Sequence, residues 1–534
     1  MGHPVNADEP TSEESHGAAR PGITRRGVLA VAAGGLVAGT VITLSGWTPQ
    51  PKPILAPSGG VRRTPLPIPP LAEPEIAHDG TRIFSLTAQT GQSRIHPAGP
   101  TPSWGYNGAF AGPSLRAAEG DRVRIVVRNE LPETTTVHWH GLKLPAQYDG
   151  GPHQPIAPGE EWIAEWEIEQ PAATCWYHPH THGTTEAQVT RGLMGLFILQ
   201  DELSEWSGLP IDYGVDDVPV LVTDRSFNAD GTFAARERTA FGLLGDTVIV
   251  NGALSPTFEV TRALTRLRLL NGSSARTYHF VVQGAPMTLV GTEAGLLPDP
   301  TPINSVTLTP GERAEVLVEL EPGQTAMLQS VPHSLGLLQS TSRAAGAEDR
   351  FDVLELRAAS SFAGPDLTIA GLGMIAQVLP PPLEAPDVTR SMVLTNNQIN
   401  GATMEMSRVD QVVTVGARER WVIDNQHHLP HNLHIHNARF LVVSVDGEPP
   451  RDYERGWKDT VYAPPGRPVI IDVEFGRSAD PEWPYMFHCH WLMHHDMGMM
   501  GQFVVIDDTQ EPPTAISTPA VHAGNPGGGM NGSH

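Results

Sequence analysis

The sequence predicts an all-β chain of three consecutive β-sandwich domains. Three observations carry that prediction: its length, its wealth of glycine and proline, and a strand-and-turn unit that occurs three times. At 534 residues the chain is too long for one domain of ~150 residues and suits three. Glycine (54) and proline (50) are plentiful, as many short strands joined by turns require. Each copy of the unit opens on an alternating segment that ends in asparagine, at residues 122–129, 265–271 and 419–425. Alternation of apolar and polar residues is the pattern of a half-buried strand. A Pro-Gly pair follows in each copy (Pro158-Gly159, Pro310-Gly311, Pro465-Gly466) and turns into a second alternating segment.

These landmarks divide the chain into a first β-domain over 78–205, a second over 206–362 and a third over 391–510, with a linker over 363–390. Residues 49–77 read as a proline-rich linker and 511–534, rich in Pro, Gly and Ser, as a disordered tail. Before them, residues 1–48 carry Thr24-Arg25-Arg26-Gly27 ahead of an uncharged Ala/Gly-rich stretch. This resembles a bacterial twin-arginine export signal and implies delivery across the cytoplasmic membrane, to the periplasm or beyond. The stretch is too rich in glycine and alanine for a good anchor, so no stable membrane association is expected after export.

Composition excludes some classes. Hydrophobic residues make up 40% and charged residues 18%, which is ordinary for a globular protein. A net charge of −24, from 35 basic and 59 acidic residues, argues against nucleic acid as partner. Two cysteines, Cys175 and Cys489, exclude a disulfide scaffold.

Histidine carries the chemistry. His138-Trp139-His140 and His178-Pro179-His180 lie in the first copy; His434-Ile435-His436 and His488-Cys489-His490 lie at equivalent places in the third. The second copy has only His279-Phe280-Val281 and Met327-Leu328-Gln329 there. The outer domains therefore carry the ligand pairs; the middle one reads as spacer and wall, with His279 an ordinary core or surface residue. Residues two apart on a strand project to one side, so four such pairs form prongs able to meet across an interface.

Parity sorts the ligands. In His488-Cys489-His490 the imidazoles face one way and the thiol the other. His431, three residues before His434, tends to the side opposite His434 and His436. Cys489 and His431 can thus share one metal, while eight histidines meet on the other side in numbers that suit a cluster. His494 and Met499 follow Cys489 by five and ten residues. Two histidines, a thiolate and a thioether are the donor set of electron-transfer copper; zinc has no redox chemistry to link to a neighbouring cluster. Strand geometry puts the two sites on the order of 10–15 Å apart.

The segments His138-Trp-His-Gly141, Trp176-Tyr-His-Pro-His180, His431-Asn-Leu-His-Ile-His436 and His488-Cys-His-Trp-Leu-Met-His494-His-Asp-Met-Gly-Met499 resemble the multicopper oxidases: laccases, bilirubin oxidases and cuprous oxidases. The resemblance implies three cupredoxin-like Greek-key β-sandwich domains and four copper ions. Type 1 copper would be held by His431, Cys489, His494 and Met499, type 2 by His138 and His434, and the type 3 pair by His140, His178, His180, His436, His488 and His490. It implies one-electron oxidations coupled to reduction of O₂ to water, with His494 nearest the surface as the point where electrons arrive. Asp149 would handle protons beside type 2 copper, and Asp459 would orient residues near the metals.

Four residues depart from the family pattern or extend it. Asn432 stands where a proline is common, which predicts a looser or wetter type 1 site. His495 stands where relatives carry a carboxylate, which puts a proton route there in doubt. His182 extends a ligand pair and reads as a residue that supports the ligands or sits in a turn, and Cys175 as a buried, inert thiol. The span from Ala344 to Met406 holds only Met374, Met392, Met404 and Met406, too few for the Met-rich insert of cuprous oxidases. Phenols and aromatic amines are therefore the first expectation as electron donors, with Cu(I) or another metal ion, and bilirubin, as rivals. A copper nitrite reductase, needing only a mononuclear second site, and a non-enzymatic copper carrier are the remote alternatives.

Overall fold

The computed structural model describes residues 53–55, 63–235, 239–365, 367–373, 375–386 and 388–517. The segment expected to be an export signal, and most of the segment expected to be a tail, lie outside the described residues. Among the described residues, no helix is long and apolar enough to cross a membrane.

Among the described residues the regular structure is mostly strands, with a few short helices, and the strands pair into six sheets. Three large hydrophobic cores lie in sequence order: one around Phe84, Val123, Trp139 and Phe197, one around Val218, Leu267, Phe280 and Val316, and one around Trp421, Phe440, Ile471 and Phe487. Strands that are sequence-distant become neighbours; in the first domain the four-stranded sheet runs Leu115–Ala118, Gly195–Gln200, Ala173–His178, His138–His140.

The three landmark pairs fold alike for a shared reason. Each strand-ending asparagine is fully buried and must satisfy its amide. Asn129 Nδ2 donates to the carbonyls of Glu133 (2.9 Å) and Ile156 (2.8 Å); Asn271 Nδ2 does the same with Arg276 and Leu308, and Asn425 Nδ2 with Leu429 and Ala463. In every copy Oδ1 accepts from the backbone N–H two residues on. The asparagine carbonyl then accepts from the glycine of the Pro-Gly pair: Gly159 at 2.7 Å, Gly311 at 2.9 Å and Gly466 at 2.8 Å. All three glycines have positive φ (84°, 89° and 66°), where a Cβ would be strained. The repeat is thus one hydrogen-bonded clasp used three times.

Register delivers the histidine pairs. His138 lies opposite His178 in the first domain, and His434 opposite His488 in the third. His431 pairs with Ala463 and His434 with Thr460.

Candidate metal centre

The third domain forms a thiol site. His431 Nδ1 lies 3.6 Å and His494 Nδ1 3.7 Å from Cys489 Sγ, and all three residues are buried. Met499 is fully buried beside them; its carbonyl accepts from Cys489 N–H, and its N–H donates to the His494 carbonyl. His494 is 2% exposed, its Nε2 donating to the Ala240 carbonyl at 3.1 Å. His431 Nε2 faces Nδ1 of His427, which is half-buried, at 3.1 Å.

The Asn432 expectation is not met. Its side chain is fully buried: Nδ2 donates to Thr309 Oγ1 and the Pro310 carbonyl, both at 2.9 Å, and Oδ1 accepts from His490 N–H at 2.6 Å. An amide can make these bonds and proline cannot, so the exchange ties the site to the middle domain instead of loosening it.

On the opposite face eight buried histidines converge from the two outer domains. Two triads bring their donor atoms within 4.8 Å of one another: His140, His178 and His490, and His180, His436 and His488. His138 and His434 meet His436 in a third group. Sequence parity could not sort these sets, because each triad takes imidazoles from both domains.

Hydrogen bonds fix most of the rings with one lone pair inward. His138 Nδ1 donates to the Asp149 carbonyl and His434 Nδ1 to the Asp459 carbonyl, both at 2.9 Å. His178 Nδ1 donates to the Pro179 carbonyl at 2.8 Å and His488 Nδ1 to the Cys489 carbonyl at 3.0 Å. His436 Nδ1 donates to Asp149 Oδ2 at 2.7 Å. His140 is turned over: its Nε2 donates to Asp459 Oδ1 at 3.0 Å and its Nδ1 faces the triad. The inward Nε2 atoms of His138 and His434, and both nitrogens of His490, are buried without a hydrogen-bond partner. Orphaned imidazole nitrogens are costly in a protein interior, and metal ions are what such a set would hold.

Protonation agrees. Burial pushes the imidazoles of His138, His140, His180, His431, His436, His488 and His490 well below the usual range, His178 to about 3 and His494 to about 4. Imidazoles held so low are neutral at ordinary pH, the form in which they could bind a metal. Burial lifts the Cys489 thiol to about 12, so a metal must displace its proton. Burial also raises Asp149 well above the carboxylate range. Asp459 behaves oppositely: burial alone would raise it, but Arg313 and His140 hold it well below.

The remaining residues singled out in the sequence have definite places. His182 is exposed in a turn, and Cys175 is buried with its thiol pushed up to about 12 by desolvation. His279 is half-buried, bonded to Thr307 Oγ1 and stacked on His333. His495 is fully buried, with Nδ1 3.2 Å from Asp496 Oδ1 and Nε2 3.3 Å from His180 Nε2. Asp459 touches both His140 and, through its carbonyl, His434. Sequence reasoning missed Arg313, Glu293 and Lys458, buried charges that meet at Asp459 and its neighbours. The one sequence signal for Arg313 is a cation two residues after a Pro-Gly turn, in the copy that lacks histidine pairs.

Fold and site together define a class: a three-sandwich protein whose buried cysteine site is joined through its own backbone to an eight-histidine cluster. Comparison with known proteins agrees. Residues 87–204, 223–341 and 379–509 each match a multicopper oxidase family description. The chain is 34% identical to the cell division protein FtsP of Dickeya dadantii, over 83% of this chain and 92% of that protein. It is 32% identical to the multicopper oxidase mco of Staphylococcus aureus, over 82% and 91%. Among solved structures, a laccase from Pediococcus acidilactici superposes with a TM-score of 0.75 at 30% identity, covering 85% of this chain and 96% of that one. A laccase-like multicopper oxidase, CueO, from Ochrobactrum sp., active on lignin model compounds, gives 0.73 at 34%, covering 83% and 100%. The chain belongs to the multicopper oxidase family, and its three domains are cupredoxin folds.

Proposed function

We propose that this chain is an exported laccase-like oxidase that draws single electrons from phenols and aromatic amines and passes them to dioxygen. Type 1 copper is assigned to His431, Cys489, His494 and Met499, type 2 to His138 and His434, and the type 3 pair to the two triads. Bound copper supplies one-electron chemistry at the thiolate and four-electron reduction of O₂ to water at the cluster. The carrying observation is Cys489, whose sulfur faces His431 and His494 while its chain neighbours His488 and His490 enter the triads. The Cys489 carbonyl accepts from His488 Nδ1, which adds a hydrogen-bonded route to the covalent one. Asp149, buried against His138 and His436, holds a proton for oxygen reduction. Export is supported by the Arg25-Arg26 address.

The donor class is supported by the Ochrobactrum relative and by the sparse methionines before residue 406. Cuprous or other metal ions and bilirubin are the rival donors. The FtsP relatives raise a second reading, a role in cell division carried by shape. Such a role has no need for a complete set of inward-facing imidazole lone pairs and a thiolate, which favours the oxidase. Oxygen uptake by copper-loaded protein, with a phenol, Cu(I) and bilirubin tested in parallel, decides the matter. Uptake is expected with all loaded samples and fastest with the phenol; no uptake with any donor sinks the oxidase reading.

A further inference from the structure

We propose that Arg313, a residue of the middle domain, is the positioning residue of the oxygen-reducing cluster, acting through Asp459. This rests on the oxidase reading. The Arg313 side chain is fully buried, and every one of its N–H groups has an acceptor. Nη1 and Nη2 donate to Asp459 Oδ1 (2.8 Å) and Oδ2 (2.7 Å) as a two-pronged fork. The remaining donors reach the carbonyls of Thr174 (2.8 Å), Gly311 (3.1 Å) and Glu293 (3.0 Å). One guanidinium therefore joins the first-domain strand that carries His178, its own Pro-Gly turn, and the third-domain aspartate. Its planar five-donor geometry matches a carboxylate in a way lysine cannot.

Asp459 converts that clamp into ligand geometry. Its Oδ1 accepts from His140 Nε2, which leaves Nδ1 aimed at the triad with His178 and His490. Its carbonyl accepts from His434 Nδ1, which leaves Nε2 aimed at His138 and His436. A single residue thus sets one imidazole of each kind of cluster site. Its backbone is held independently by the middle domain, since Glu293 Oε2 accepts from the N–H groups of Asp459 (3.0 Å) and Thr460 (3.1 Å). The ion pair is also the reason that glycine follows His140. A Cβ at Gly141 (φ +90°) would stand 2.5 Å from Arg313 Nη2 and 2.8 Å from Asp459 Oδ2. The middle domain has no ligand pairs, yet it orients ligands of both outer domains.

The test compares wild type with Arg313→Gln, Arg313→Lys and Asp459→Asn. Copper per chain, the type 1 visible absorption, the type 2 EPR signal, and kcat with KM for the electron donor are measured on each. All variants that fold are expected to keep the type 1 absorption and the donor KM. Cluster copper is expected to bind roughly 10–100-fold more weakly, with kcat reduced in proportion. The type 2 signal should be altered in every variant, and Arg313→Lys should recover only part of it. If Arg313→Gln fails to fold, the other two variants carry the same reading. Wild-type copper affinity and type 2 signal in the variants, or equal loss of type 1 and cluster copper, overturns the proposal. Wild-type protein that holds no copper overturns instead the oxidase reading beneath it.

Discussion

Nδ1 of His436, in the third domain, donates a 2.7 Å hydrogen bond to Oδ2 of Asp149 in the first. The other carboxylate oxygen, Oδ1, is buried without a hydrogen-bond partner, and burial raises the group well above the usual carboxylate range. A carboxyl so raised and so placed is the group proposed above to hold a proton for the cluster. Asp149→Asn keeps the shape and removes the proposed proton carrier. It is expected to lower kcat by about 10²–10⁴-fold, the usual worth of a positioned general acid. Stopped-flow reduction of type 1 copper by the donor should be unchanged. An Asp149→Asn variant with wild-type turnover would remove the residue from the mechanism.

Cys489→Ser separates the two sites. Serine offers no thiolate, so the type 1 absorption and turnover are expected to fall to background. The eight histidines lie on the opposite face and should retain cluster copper. Metal analysis with visible and EPR spectra checks this. Loss of all copper at once would mean that the sites are not independently built.

Gly311→Ala probes how closely the middle domain presses on the cluster. Gly311 has φ +89° and a Cβ there would lie 2.9 Å from the His490 ring. The strained backbone alone costs about 1–3 kcal/mol, and the ring must also move. The variant should unfold at a lower temperature and bind cluster copper more weakly than wild type, both measurable in one thermal and metal titration series.

Copper-free protein should lose stability on acidification. Histidine titrates near ~6.5 in an unfolded chain, whereas burial holds His494 at about 4 and His178 at about 3 in the fold. Between those values the unfolded chain binds more protons than the folded one, so stability rises with pH across that window and falls as pH drops through it. His494 alone contributes up to roughly 3 kcal/mol. Urea unfolding midpoints at pH 4.5 and pH 7 read the slope, and equal midpoints would contradict the buried neutral imidazoles.

Much of this was legible in the sequence because it is written locally. The asparagine and Pro-Gly landmarks are two ends of one clasp, and a two-residue spacing places paired imidazoles on one side of a strand. Parity likewise separated Cys489 from His488 and His490. What could not be read needs contacts between distant segments. The sorting of triads depends on which strands face each other across the interface of the outer domains. Arg313 reaches Asp459 over 146 positions, and although the Pro310-Gly311 turn before it repeats, the other copies carry Glu161 and Pro468 at its place. Asn432 was misjudged because its partners, Thr309 and Pro310, belong to the middle domain; a local comparison with proline sees only the lost ring.

The most direct test counts copper and electrons together. Copper-loaded protein, given a limiting one-electron donor under air, is expected to bind four copper ions per chain and to oxidise four donor molecules per O₂ consumed, with no hydrogen peroxide released. Two copper ions per chain, or two donor molecules per O₂ with peroxide accumulating, would contradict a cluster wired to the Cys489 site.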